Sequence, residues 1–241
     1  VLITLSICDI PRPHFDRIRE GVSRKTGIPP GNIVISCTHT HSGPEIERQS
    51  DDFLQKLINS SFANAQNDKS GSLTVHSLSP KGISGNDYSI LLIERSVQSA
   101  VTAWDKRIPG RIGFGGAIVR ELGMNDRRML YGGVHPDPEA GIIKIEDAEG
   151  NLLGVAFNYG CHASALDKYN YKFTEDWPYY AIKRIRETAG EKVWVAFYQA
   201  AQGDVKVGYS AELSATGAEM NIRTFEYAEY KGNMMAEAVL K

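Results

Sequence analysis

Cysteine is scarce in this chain: the three residues, Cys8, Cys37 and Cys161, lie far apart and no two have CxxC spacing. Neither a disulfide framework nor a zinc ribbon can be built from them, and the odd number reads as buried free thiols. Long apolar runs are missing too, so no segment is expected to span a bilayer as a helix. Nor does either sign of charge dominate. Lys and Arg total 27 against 29 Asp and Glu, for a net charge of -2 and a pI near 6.3. That balance excludes broad electrostatic attraction to nucleic acid or to an anionic membrane surface. There is no initiator Met and no charged stretch ahead of an apolar core, and Val1 to Ile7 already reads as a strand, so the chain is expected to begin inside a fold. What is present is an ordinary globular composition, 42% hydrophobic and 23% charged over 241 residues, enough to bury a real core.

The most informative stretch is Cys37-Thr38-His39-Thr40-His41-Ser42-Gly43-Pro44. It follows the apolar run Ile33 to Ser36, which reads as a buried strand, and ends in a Gly-Pro turn signal. In extended backbone, residues two apart share a side, so His39 and His41 are expected to project together while Thr38 and Thr40 face the opposite way. Paired imidazoles at a strand end fit a metal or acid/base site; an isolated HxH fits threonine-flanked surface histidines equally well.

In chain order, Phe15, Ile18 and Val22 lie on one helical face stopped by Gly27 and Pro29-Pro30. Strand, helix and motif strand form a βαβ unit, and with it an α/β fold with a mixed sheet and flanking helices. Residues 59–87, rich in Ser, Asn, Asp and Gly, read as a loop insertion, with only Leu73 to Val75 strand-like. Ile90, Ile93, Val97, Val101 and Trp104 make a helical core stripe. Arg111 to Gly115 is a short strand, and the adjacent Arg127-Arg128 either clamps an anion or developing oxyanion or makes ordinary salt bridges. Ile142 to Glu146 and Leu152 to Asn158 read as an antiparallel hairpin.

The hairpin delivers Asn158-Tyr159-Gly160-Cys161-His162 to a second strand end, where His162 can meet His39. Asp176, before Trp177-Pro178, has the position of a helix cap more than that of a ligand. A further strand, Val193 to Tyr198, runs into Gln202-Gly203-Asp204, where Asp204 orients a histidine, touches substrate or simply holds a turn. Residues 225–240 read as a closing helix. His14, His76 and His135 have no partner motif and are expected to be structural or exposed.

These residues resemble the amino-terminal catalytic region of the neutral/alkaline non-lysosomal ceramidase family. Thr38-His39-Thr40-His41-Ser42-Gly43-Pro44 is the most specific match. Asn125 with Arg127-Arg128, then Asn158-Tyr159-Gly160-Cys161-His162, then Gln202-Gly203-Asp204 follow in the family's order. The resemblance implies one catalytic domain over residues 1–241, lacking its start and its C-terminal part. It implies a zinc cofactor with His39 and His162 as metal ligands, and further Glu and Tyr ligands beyond this chain. It leaves His41 and Arg128 as catalytic, oxyanion-stabilising groups, and Arg127, Gln202 and Asp204 as substrate contacts. The implied activity is hydrolysis of the amide bond of an N-acylated lipid by a metal-activated water, and the implied location is secreted, periplasmic or membrane-associated. In ceramide-cleaving members the Gly-Asp motif continues Val-Ser-Pro-Asn, whereas here Asp204-Val205 continues Lys206-Val207-Gly208. The alternatives are therefore a non-catalytic ceramidase-like domain, motivated by Lys206, and a metal-dependent esterase or phosphoesterase, motivated by Arg127-Arg128.

Overall fold

Strand β1 (Leu2–Leu5), helix α1 (Arg12–Thr26) and strand β2 (Val34–Cys37) open the chain. The structure is a computed structural model that describes residues 1–46, 56, 85–125, 135–166, 170–207 and 223–241. Val34 N–H donates to Val1 O at 2.9 Å and Thr38 N–H to Leu5 O at 2.8 Å. Both bonds carry the same sequence offset, so β1 and β2 run parallel and the expected βαβ unit is present. Pro at the first turn of α1 suits a position whose N–H has no helical partner, and Gly27 closes the helix at φ 74, a left-handed conformation that glycine adopts without strain.

The chain divides into two compact units. The first comprises Val1–Ile3, Asp9–Ile35 and Glu45–Arg107. Here α1 packs against α2 (Gly85–Asp105), and the expected stripe is inward: Ile93 and Val97 are buried, as are Ile18 and Val22 of α1. Gly21 allows the approach, because a Cβ there would stand 2.7 Å from Val97 Cγ2. The residues 59–84 of the expected insertion, with the strand-like Leu73 to Val75, lie outside the described residues.

The second unit comprises Thr4–Cys8, Ser36–Pro44 and Ile108–Lys241. Its main sheet has the order β3 (Gly110–Ile118), β5 (Glu139–Asp147), β6 (Leu152–Tyr159), β7 (Trp194–Gln199). The first two pairings are antiparallel and β6–β7 is parallel, so the sheet is mixed and the fold is α/β. β5 and β6 are the expected hairpin. β3 is longer than its sequence indicated, nine residues, because β5 offers it a partner along that whole length. A small antiparallel pair, β4 (Gly123–Asn125) with β8 (Val205–Val207), had no clear signal in the sequence: three residues are too few for alternation to register.

Helices α3 (Trp177–Ala189) and α4 (Phe225–Leu240) pack together, with Gly232 against Trp177 O and Tyr180 Cβ, where a side chain would not fit. They cover a core of Leu122, Phe157, Tyr159, Trp177, Phe197 and Met235. At roughly 1.5–3 kcal/mol for each fully buried large apolar side chain, this cluster is the main stabilising term for the unit that carries the site. None of the three cysteines is in a disulfide. Cys161 is fully buried, but Cys8 and Cys37 are half-buried where the parallel pair ends, so the expectation of buried thiols holds for one of the three. Among the described residues no helix is long and apolar enough to cross a membrane.

Candidate metal centre

His39 does not lie in extended backbone. β2 ends at Cys37, and His39 has φ 60, the left-handed region that a non-glycine residue adopts only when its surroundings impose it. The expected strand alternation therefore stops short of the motif, and a kink brings the imidazoles together instead. The ring centroids of His39 and His41 are 5.2 Å apart. Thr38 and Thr40 are buried. Thr40 donates its hydroxyl to Thr174 O at 2.7 Å, Thr174 N–H donates to Ser42 O at 3.0 Å, and His41 N–H donates to Ala163 O at 3.2 Å. The motif is thus sewn to the two loops that flank it.

His162 joins the pair, its ring 4.8 Å from that of His39 and 5.4 Å from that of His41. Its Nδ1 lies 2.9 Å from Val205 O, and its backbone N–H donates to the same oxygen at 3.0 Å. A carbonyl oxygen only accepts, so Nδ1 carries the proton and Nε2 carries the lone pair, which it can offer to a metal. Burial pushes the His162 imidazole below its ordinary value of 6.5; the bond to Val205 opposes this, and the nearby His39 and Lys206 add to the lowering. His162 is therefore neutral at pH 7. The bond from Trp177 Nε1–H to His162 O, 3.0 Å, fixes the loop from the α3 side.

Asp176 is the cap that its sequence position indicated. It is fully buried, and its carboxylate accepts from the backbone N–H groups of Ala165, Leu166 and Trp177 at 2.8, 2.9 and 2.7 Å. One side chain thereby starts α3 and holds the segment after His162. Gln202 accepts from Val205 N–H at 2.8 Å through its carbonyl and so shapes the turn that presents Val205 O. Asp204 is the residue just before that oxygen. Arg127 and Arg128 lie outside the described residues, as does His76. His14 is buried, and the exposed His135 contacts Pro136 O and Arg120 O.

Cys8 is the residue that sequence reasoning passed over. The parallel pairing continues past β1, with His39 N–H donating to Ile7 O at 3.1 Å, and this sets Cys8 beside His39. His39 Nδ1 is 2.8 Å from Cys8 O and 3.7 Å from Cys8 Sγ. Ligand atoms of Cys8, His39 and His41 all lie within 4.8 Å of one another. This set differs from the expected His39–His162 pair: both contain His39, and the ring distances bring His162 against it without placing His162 among the converging atoms. Imidazole nitrogens and a thiol suit zinc and other borderline or soft metals and do not suit magnesium or calcium, so the residues present fit a zinc ion by donor chemistry.

A cleft of about 630 Å³ borders the motif on the Gly43-Pro44 side, lined among others by Phe173, Thr174, Tyr179, Tyr180 and Phe225. Ser6 Oγ and Glu175 Oε1 make a short hydrogen bond at its wall. The three clustered histidines are not part of its lining.

Cys8, His39 and His41 converge where strands end, with the His162 ring against the two imidazoles, and make a candidate metal centre on an α/β scaffold of mixed sheet. Solved structures share the fold. The neutral ceramidase from Pseudomonas aeruginosa superposes with a TM-score of 0.71 at 17% identity, covering 98% of this chain and 35% of that one. A ceramidase complexed with C2 superposes with a TM-score of 0.62 at 20% identity, covering 94% of this chain and 33% of that one. The fold is ceramidase-like, and the chain spans about a third of the length of these neighbours. No protein-family profile matches the chain, and no curated protein matches it in sequence.

Proposed function

We propose that this chain is the metal-binding part of a zinc-dependent hydrolase of the neutral/alkaline ceramidase family, acting on the amide bond of an N-acylated lipid. The observation that carries the reading is the meeting of His39, His41 and His162 on a ceramidase-like fold, with His162 held as the neutral Nδ1–H tautomer by Val205 O. In it, His39 and His162 hold the metal. A zinc ion bound there supplies Lewis acidity, lowering the pKa of water toward ~7 and polarising an amide carbonyl. His41, the exposed member of the three, faces substrate and donates to the developing oxyanion, with Arg128 as its partner in that role. Arg127, Gln202 and Asp204 are assigned to substrate contact. The aromatic lining of the neighbouring cleft suits an acyl or similarly apolar chain.

The test is metal analysis of the purified chain together with turnover of a panel of N-acyl amides. Bound zinc with hydrolysis that His39→Ala abolishes supports the reading. Absence of metal, or equal hydrolysis by folded His39→Ala, overturns it.

Lys206 favours a second reading, a ceramidase-like domain without chemistry. It is paired with Met124 across β4–β8, and its charge acts on His162, a place where a cation disfavours both a bound metal ion and a protonated imidazole. Zinc-dependent amide turnover by the parent chain excludes this reading.

A further inference from the structure

We propose that the cleft beside the motif is an ammonium site, taking the charged end of a small alkylammonium amphiphile. The inference goes beyond the hydrolase reading, because it concerns the polar end of the chain that this cleft accepts and requires no bound metal. Every residue of the lining belongs to the second unit. The cleft holds about 630 Å³, within the ~300–1,000 Å³ of small-molecule sites. Tyr179 and Tyr180 meet edge to face on its wall, with ring centroids 5.1 Å apart at 77°, and Phe173 and Phe225 line the same space. The faces of such rings are electron-rich and attract a cation. Glu175 supplies the counter-charge: its half-buried carboxylate is bonded to the Ser6 hydroxyl and makes no ion pair among the described residues.

The surrounding charge agrees. The Tyr180 phenol is pushed up by burial first, and then by Glu229, Tyr179, Glu226 and Asp176, so carboxylates dominate the field at that wall. Lys172 is the basic residue of the lining, and its Nζ already stands 5.7 Å from the centroid of the Phe225 ring. A primary ammonium therefore finds a favourable place among these rings, here one that belongs to the chain itself. Glu175 is left for the ammonium of a ligand. Other ligand classes fit less well. A hard metal ion asks for about six oxygen ligands, which one carboxylate and one hydroxyl among aromatic rings do not supply. A carboxylate ligand meets Glu175 and the field of Glu226 and Glu229, with Lys172 alone to attract it. An uncharged chain fills the aromatic walls and leaves Glu175 without a cation.

Calorimetric titration of the purified full chain with octylammonium, butylammonium, octanoate and octan-1-ol at neutral pH is the test. Octylammonium is expected to bind at least about fivefold more tightly than octan-1-ol or octanoate, and at least about tenfold more tightly than butylammonium, whose chain matches a lysine side chain. Glu175→Gln is expected to weaken octylammonium at least about fivefold and to leave octan-1-ol unchanged. Lys172→Gln is expected to bind octylammonium at least as tightly as the parent. Equal binding of octan-1-ol and octylammonium shows an apolar groove alone and overturns the proposal. Octanoate as the tightest ligand, butylammonium as tight as octylammonium, unchanged binding in Glu175→Gln, or no binding of any probe overturns it too. The comparison of probes on the parent needs no variant, so it decides even where Glu175→Gln fails to fold. Neither zinc nor amide turnover is read in this titration, so each of these outcomes leaves the metal-centre reading standing.

Discussion

His162 donates twice to one oxygen, Val205 O, through its backbone N–H at 3.0 Å and through Nδ1–H at 2.9 Å. This double bond to a single acceptor sets loop position and ring tautomer together. It depends on the turn 202–205 and on strand β8, so the Gln202-Gly203-Asp204 segment acts on the centre through its backbone even before any substrate contact is considered.

The three clustered histidines are expected to separate by role. His39→Ala and His162→Ala should each lose metal, whereas His41→Ala should keep it and lower turnover by about 10²–10³-fold, the usual cost of one oxyanion donor. Metal content by mass spectrometry, beside turnover of an N-acyl amide, checks this. Loss of metal from His41→Ala with retention in His162→Ala would show that the second imidazole is His41, in line with the atoms that converge with Cys8.

Gly160→Ala is expected to disturb the site without touching a ligand. A Cβ at Gly160 would lie 2.7 Å from Ala201 O, a backbone atom that cannot turn away. The two loops that hold His162 must then part. A stability loss of about 1–3 kcal/mol and a roughly tenfold weaker metal affinity are expected from urea unfolding and zinc titration. Parent-like values in both would show that the loops yield freely.

Asp176→Ala should cost about 3 kcal/mol or more, because three buried N–H groups lose a charged acceptor and α3 loses its cap. Asp176→Asn keeps one acceptor oxygen and should cost distinctly less. Chemical denaturation ranks the pair; equal stabilities would contradict the staple role.

His14 gives the first unit an acid limit. It is fully buried, its ring nitrogens have no hydrogen-bond partner among the described residues, and burial alone lowers its pKa from 6.5. Above that value neither the folded nor the unfolded state carries the proton. As pH falls below it the unfolded chain protonates first, so stability falls with pH until the folded pKa is passed. His14→Leu should flatten this fall, so that the variant gains stability relative to the parent as the pH drops below 6.5. Thermal unfolding of parent and variant at neutral and acid pH checks the slope.

Much of the scaffold was written locally. The spacing of Phe15, Ile18 and Val22, the Gly27 stop, the hairpin around Asp147 to Asn151, the Asp176 cap and the helix over 225–240 each rest on neighbours a few residues apart, and such patterns survive in a bare sequence. The motifs also named His39, His41 and His162, because strand ends followed by polar loops are visible as composition. Tertiary structure decided the rest. It replaced the assumed strand alternation at His39 with a left-handed kink, paired β4 with β8 across 80 or so residues of chain, and chose the His162 tautomer through Val205. It also set Cys8 beside His39, which no local pattern encodes, because their approach follows from the register of two parallel strands joined by a helix. Residue type can mark a donor; only the pairing of distant strands determines which donors share a point in space.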